Sequence, residues 1–272
     1  MTSQNRYALI LGASSGFGRA TALALARDGY HIIGVHLDRA AGLKLVEEIT
    51  AELASLGVRY HFFNMNAVDA ERRADLMRTI KEEFSKYEGA TIRLMLHSLA
   101  FGTLKPFVAP AGLDTISLKS LEMTLDVMAN SLVYYTQDLV RNDLMAPGGR
   151  ILGLTSAGST RVLPSYGAVS AAKAAMESYC RQLALELAPY GITANTIRAD
   201  VTYTPALAKI PSNADIIDNA HMRNPYHRLT TPEDVADVIR LLVRDEAHWI
   251  NGEVLGVDGG EDSVDFTDWK KS

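Results

Sequence analysis

The sequence predicts an α/β fold, a doubly wound parallel sheet of about seven strands, Rossmann-like, in one domain over residues 1–272. Three observations carry that expectation. Short apolar runs alternate with longer amphipathic stretches along the whole chain. A glycine-rich turn closes the first apolar run and opens the first helix pattern. No linker, repeat or low-complexity segment interrupts the alternation. Strands joined through helices run parallel, because each crossover returns the chain to the same end of the sheet.

Tyr7-Ala8-Leu9-Ile10-Leu11 is apolar throughout and stops at Gly12, the pattern of a strand covered on both faces. A helix is expected over 18–28, a second strand over 31–35 and a second helix over 40–56. The third strand (60–63) precedes a charged amphipathic helix over 69–87. A fourth strand (92–96) leads to a long helix over 118–141, which the Pro- and Gly-rich turn 142–149 ends. The fifth strand (151–154), a helix over 166–187 and the sixth strand (192–197) follow. Pro232 marks a helix start, with Thr230 and Thr231 as cap candidates. The last strand is 254–257, before Asp258-Gly259-Gly260. Between Thr204 and Thr230 no strand pattern occurs, and Pro205, Pro211 and Pro225 interrupt a mixed sequence. So long an excursion is expected to be a substrate lid near 204–230.

Composition narrows the function classes. With 47% hydrophobic and 22% charged residues, the chain can bury a substantial core. A net charge of −5 with mixed signs lacks the basic stripe that nucleic acid requires. The single cysteine, Cys180, permits neither an internal disulfide nor a Cys-based zinc site, and no metal is expected. Its neighbours Tyr179 and Leu183 suggest an inert buried thiol. Residues 1–6 run straight into an apolar strand, without the pattern of a secretory leader, and no apolar run approaches the roughly 18 residues of a membrane span. A soluble cytoplasmic protein with no membrane partner is expected.

The chemistry begins at Gly12-Ala13-Ser14-Ser15-Gly16-Phe17-Gly18. Gly12 permits a tight turn, Gly16 lets the backbone approach a pyrophosphate, and Gly18 lets helix and strand pack closely. The helix N-terminus then offers unpaired N–H groups to the phosphates. The spacing is G-x-x-x-G-x-G, not the commoner G-x-G-x-x-G. At the end of the second strand, Asp38 stands where an acid binds the ribose 2′-OH of NADH, while Arg39 beside it suits the 2′-phosphate of NADPH. The two point in opposite directions, and a solvated pair serving neither is the third reading. Tyr166 and Lys173 lie seven residues apart, about 20° short of two full turns, so both share one helix face roughly 10 Å apart. Ser156 follows the fifth strand and reaches the same cleft. A nearby ammonium lowers a phenol's pKa, so Lys173 is expected to help Tyr166 act as an acid or oxyanion donor. The bland alternative is an inward-packed tyrosine and a solvated lysine.

The whole chain resembles the short-chain dehydrogenase/reductase family, from the glycine turn through Asn195-Thr196-Ile197 to Val257-Asp258-Gly259-Gly260. In most of that family the tyrosine stands four residues before the lysine. Here that place is Val169, which cannot exchange a proton. The Tyr-x6-Lys interval resembles the enoyl-acyl carrier protein reductase branch. Leu96-His97-Ser98-Leu99-Ala100-Phe101 is similar to that branch's His-Ser-Ile-Ala-Phe, and Asp126-Val127 to its Asp-Ile, where ordinary members carry an Asn. Arg161-Val162-Leu163-Pro164-Ser165-Tyr166 is similar to its Arg-x-x-Pro-Asn-Tyr. The glycine motif, however, is the ordinary family's, and Ser156 stands where the main bacterial reductases have a second tyrosine. The mixture most resembles a smaller reductase type. Arg198-Ala199-Asp200-Val201 departs from the usual Ala-Gly or Pro-Gly, which puts Asp200 near the seat of the nicotinamide carboxamide.

The resemblance implies that Gly12, Ser15, Phe17, Asn66, Ala67, Ala100, Lys173, Val201 and Thr204 line the cofactor, NADPH or NADH, with Asn66 at the adenine. His97 is expected to be structural, and Met128, Met145 and Met176 to be core filler. The implied reaction is reduction of the C=C bond of an acyl thioester, carried on acyl carrier protein or coenzyme A, in fatty acid synthesis. Tyr166 would hold the thioester oxygen, Lys173 the nicotinamide ribose, and Ser156 would assist. A homotetramer is implied as well. The alternatives are a carbonyl or alcohol oxidoreductase of the same family and a non-catalytic dinucleotide-binding regulator.

Overall fold

A computed structural model describes residues 5–205, 207–210 and 213–264. Its seven strands are β1 (Arg6–Leu11), β2 (His31–His36), β3 (Tyr60–Asn64), β4 (Thr91–His97), β5 (Arg150–Thr155), β6 (Thr193–Ala199) and β7 (Val254–Val257). They form one sheet in the order β3-β2-β1-β4-β5-β6-β7, and every neighbouring pair is parallel. This is the expected doubly wound, Rossmann-like sheet. Strand order reverses between β1 and β4, which opens a crevice beyond the C-terminal strand ends.

Apolar residues alternate between two faces because both are covered. On one face α3 (Ala70–Phe84), α5 (Ser131–Arg141) and α6 (Gly167–Glu186) pack over a core that includes Leu9, Ile33, Met95 and Ile151. On the other, α1 (Gly16–Arg27), α2 (Ala40–Ser55) and α8 (Pro232–Leu242) cover Ile10, Ile32, Leu96 and Leu152. Met128, Met145 and Met176 are buried in the first of these cores, as expected. Cys180 is buried, and burial pushes its thiol up to about 12, an inert setting.

The long helix expected over 118–141 is continuous but not uniform. It consists of α4 (Leu118–Leu125), a π-helical turn (Asp126–Asn130) and α5. The stretch 204–230 contains a short 3₁₀ turn (Leu207–Lys209) and an unforeseen helix, α7 (Asn213–Arg223). Pro225 lies just beyond the end of α7, Pro205 lies before the 3₁₀ turn, and Pro211 is outside the described residues. Of the two cap candidates, Thr231 caps α8: its hydroxyl accepts from Asp234 N, the Asp234 carboxylate accepts from Thr231 N, and Pro232 occupies the first turn.

At the N-terminal ends of the strands, two buried arginines close off α8. Arg93 Nε donates to Val243 O at 2.9 Å and its Nη2 to Asp245 at 2.6 Å. Arg150 donates to Leu242 O (3.0 Å), Arg244 O (3.1 Å) and Gly148 O (2.7 Å). The last carbonyls of a helix lack internal donors, and a guanidinium at that pole also complements the helix dipole. Among the described residues no helix is long and apolar enough to cross a membrane, and no His/Cys/Asp/Glu group could hold a metal.

Candidate active site

The glycine turn sets one wall. Gly12 and Gly16 have φ of +89° and +53°, a region L side chains rarely adopt. A Cβ on Gly18 would fall 2.1 Å from Gly12 O, so helix and turn approach as closely as the sequence implied. Ser15 precedes α1 in extended geometry and makes no side-chain cap bond, and no acid stands in the first turn. The first N–H groups of α1 stay available to an anion.

Beyond this turn lies a cleft of about 310 Å³. Gly12, Ser15, Gly16, Phe17 and Ala100 line its glycine side. Ser156, Tyr166 and Lys173 line the side of β5 and α6, and Val201 and Thr204 the segment after β6. The remaining predicted residues lie elsewhere. Gly18 is buried behind the turn, while Asp38, Arg39, Asn66 and Ala67 sit beyond the ends of β2 and β3, outside this wall. Asp38 is held: one carboxylate oxygen lies 2.9 Å from His36 Nδ1, and its backbone exchanges hydrogen bonds with the Asn64 side chain. A Cβ on Gly42 would meet the other oxygen at 2.4 Å, so glycine is required there. Arg39 is exposed, and Asn66 turns its side-chain oxygen toward Val68 N.

Tyr166 occupies the N-cap position of α6 (φ −93°, ψ −1°), not its first turn. The residue before it, Ser165, has φ +61°, a left-handed geometry costing a non-glycine residue about 1 kcal/mol. That kink brings the phenol beside Ser156. A Cβ on Gly158 would lie 2.6 Å from Tyr166 Cε1 and 3.2 Å from Ser156 Oγ, so Gly158, which the sequence did not flag, lets the two stand side by side. Val169, one turn nearer Lys173, is buried in the core, with its Cγ2 2.5 Å from where a Cβ on Gly102 would lie. It has no access to the cleft.

Burial raises the Tyr166 pKa, and the neighbouring Ser156 hydroxyl works against that rise. The phenol stays protonated at neutral pH. The expectation that Lys173 would lower it is not met: desolvation outweighs every favourable contact, and the ammonium is engaged elsewhere. Lys173 Nζ donates to Leu154 O at 2.6 Å, and burial brings it down to about 8 while Glu177 opposes that fall. Lys173 is thus buried in the cleft wall, not solvated. His97 is fully buried, with Nε2 2.8 Å from Ser131 Oγ. That hydroxyl donates onward to Val127 O, so the histidine donates to it. Burial and the nearby Lys173 push His97 down to about 3, and it remains neutral, as suits a structural role.

A cleft of this build, with a phosphate-ready helix end facing a buried Tyr and Lys, invites comparison with known proteins. Residues 12–261 match the family model described as Enoyl-(Acyl carrier protein) reductase, of the short-chain dehydrogenases/reductases. The chain belongs to this family. A 1-cyclohexenylcarbonyl-CoA reductase of Streptomyces collinus is 30% identical over 265 residues, covering 94% of this chain and 87% of its own. An NADPH-dependent aldehyde reductase-like chloroplastic protein of Arabidopsis thaliana is 28% identical, covering 94% of this chain and 93% of its own. The crystal structure of enoyl-[acyl-carrier-protein] reductase (NADH) from Aquifex aeolicus VF5 matches with a TM-score of 0.79 at 26% identity, covering 95% of this chain and 97% of that one. Relatives of this short-chain dehydrogenase/reductase divide between C=C and carbonyl reduction. The family makes it an NAD(P)-dependent oxidoreductase.

Two further features lie beside the cleft. Asp126 is not in the cleft: its carboxylate accepts from Tyr134 Oη at 2.7 Å and borders a shallow depression beside Lys119 and Asn130. Behind the cleft lies a charged cluster whose membership the sequence did not reveal. Arg161 and Arg198 both pair with Asp262, the latter at 3.0 Å, and Arg223 donates to Glu261 O at 3.2 Å. Asp200 borders both this cluster and the cleft.

Proposed function

We propose that this enzyme reduces the C=C bond of an α,β-unsaturated acyl thioester, with NADH favoured over NADPH. The observation that carries the reading is the placement of Tyr166: the phenol enters the cleft two turns before Lys173, while Val169, one turn before it, is sealed in the core. A carbonyl substrate holds its oxygen one bond from the carbon that accepts hydride. An enoyl thioester accepts hydride two carbons away from its carbonyl carbon, so its oxygen donor must stand further off.

The turn at Gly12–Gly18 and the N-terminus of α1 would hold the pyrophosphate, and Asp38 the adenosine ribose hydroxyls. Asp38 is fixed by His36 and negative, which favours a ribose diol over a 2′-phosphate. When bound, the nicotinamide supplies hydride to the β-carbon. Tyr166, protonated at neutral pH, donates a hydrogen bond to the thioester oxygen as negative charge collects there, stabilisation that commonly dominates such steps, and a proton from water reaching the α-carbon completes the reduction. Lys173 would turn from Leu154 O to the nicotinamide ribose. Ser156 adds a second hydroxyl beside Tyr166. Leu163, Leu207, Ile210 and Ile216 form an apolar wall suited to an acyl chain. The acyl carrier, acyl carrier protein or coenzyme A, and a homotetramer belong to the same proposal.

A second reading, carbonyl reduction, is favoured by Ser156 and Tyr166 standing close enough to share one oxygen. The purified protein assayed with crotonyl and 2-octenoyl thioesters, and with matched ketones and aldehydes, tests both. Thioester C=C reduction is expected, with a lower KM for NADH than for NADPH. Turnover of carbonyls alone would overturn the first reading.

A further inference from the structure

The Asp200 carboxylate is an unusual occupant of such a cleft. Its side chain is only 8% exposed, yet Oδ2 has no hydrogen-bond donor, and the nearest cation, Arg161, is 3.9 Å away. An acceptor buried without a donor is costly unless something completes it. The surrounding cations hold other groups more closely: Arg161 Nη2 and Arg198 Nη2 pair with Asp262, leaving Arg198 Nε without a partner, and Arg223 holds the backbone of Glu261. Asp258 is equally occupied, accepting from Gly260 N and Asp262 N. Asp200 thus lines the cleft while one oxygen of its carboxylate is left without a donor.

The position identifies that donor. In a doubly wound sheet a dinucleotide crosses the strand ends with its pyrophosphate at the first glycine turn and its adenosine ribose at the end of the second strand. Here those points are the β1–α1 turn and Asp38, so the nicotinamide half extends the other way, past β4 toward β5 and β6. Asp200 follows the last residue of β6, in the same cleft as Tyr166. The nicotinamide half carries one uncharged group with two N–H donors, its primary amide. We propose that Asp200 is a cofactor-recognition residue whose carboxylate accepts a hydrogen bond from the nicotinamide carboxamide.

Glu261 is almost fully buried and its Oε2 is likewise without a partner. Burial, and then the charge of Asp200, raise it to about 8, so it is mostly protonated at neutral pH. The charge that raises Glu261 stays on Asp200, an ionised acceptor of the kind an amide donor needs. The inference rests on dinucleotide binding by the family and is independent of which bond is reduced.

The test is binding, without substrate. Wild type, Asp200→Ala and Asp200→Asn are titrated with NADH, with its 3-acetylpyridine analogue, in which a methyl ketone replaces the amide, and with ADP-ribose, which lacks the nicotinamide. Wild type is expected to prefer NADH over the analogue about tenfold, the ratio a hydrogen bond of ~1.4 kcal/mol gives. Asp200→Ala should bring the ratio to about one and leave ADP-ribose binding unchanged. Asp200→Asn keeps an acceptor and should retain part of the preference. A wild-type ratio near one overturns the proposal without any variant. So does an undiminished ratio in Asp200→Ala, or a variant that binds ADP-ribose more tightly, since Asp200 would then merely repel the phosphates. Failure of wild type to bind ADP-ribose would instead count against the dinucleotide reading itself.

Discussion

The two ends of the sheet both bury charged and polar groups and treat them differently. At the N-terminal end Arg93 and Arg150 spend their donors on backbone carbonyls and on Asp245. At the C-terminal end, in and behind the cleft, Asp200 Oδ2 and Glu261 Oε2 are buried with no partner. One end is finished by folding; the other is left to be finished by ligands. An unsatisfied buried group costs free energy, and this carboxyl pair at the cleft marks where function has been given precedence over stability.

The sharpest break in this contrast is Tyr166→Phe. Loss of a positioned proton donor should lower kcat by about two to four powers of ten, with NADH affinity within about twofold and unfolding midpoint unchanged. Steady-state kinetics, cofactor titration and urea melts together check it. Arg150→Ala should do the reverse. It leaves the carbonyls of Gly148, Leu242 and Arg244 without donors, and should cost about 3 kcal/mol in urea unfolding while kcat of the folded enzyme is kept. A variant at either end that moved both readouts equally would dissolve the distinction.

A smaller effect sharpens it through pH. Glu261 is raised from 4.5 to about 8, so the folded state holds a proton that the unfolded chain releases. Stability from this group is full below about pH 4.5 and is lost as pH rises toward 8. Glu261→Gln should match wild type at pH 5 and exceed it by about 1–2 kcal/mol at pH 9, once relaxation around a buried charge is allowed for. Equal slopes of stability against pH in the two proteins would remove Glu261 from the account.

Much of the contrast was legible before any coordinates. The glycine turn, the seven strands, the Thr231 cap and the convergence of Ser156, Tyr166 and Lys173 follow from local pattern, because each depends on neighbours in sequence or on strand ends. What was not legible depends on distant partners. Arg93 and Arg150 meet α8 across 150 and 92 residues, and no local signal marks such pairs. The direction of the Tyr166 shift was misjudged for the same reason, since burial is a property of the whole fold and here outweighs a cation two turns away. Helix α7 was hidden by prolines nearby in sequence, which read as breakers, although Pro225 lies just beyond its end.

The π-helical turn at Asp126–Asn130 has a consequence for alignment. Such a turn carries one more residue than the α-helical turn it replaces, so everything after it is rotated by about 100°. Position counts brought forward from α4 and back from α5 therefore disagree by one inside this helix. A relative without the turn would align to this chain only through a gap placed mid-helix, and its residues would share partners with these on one side of that gap alone.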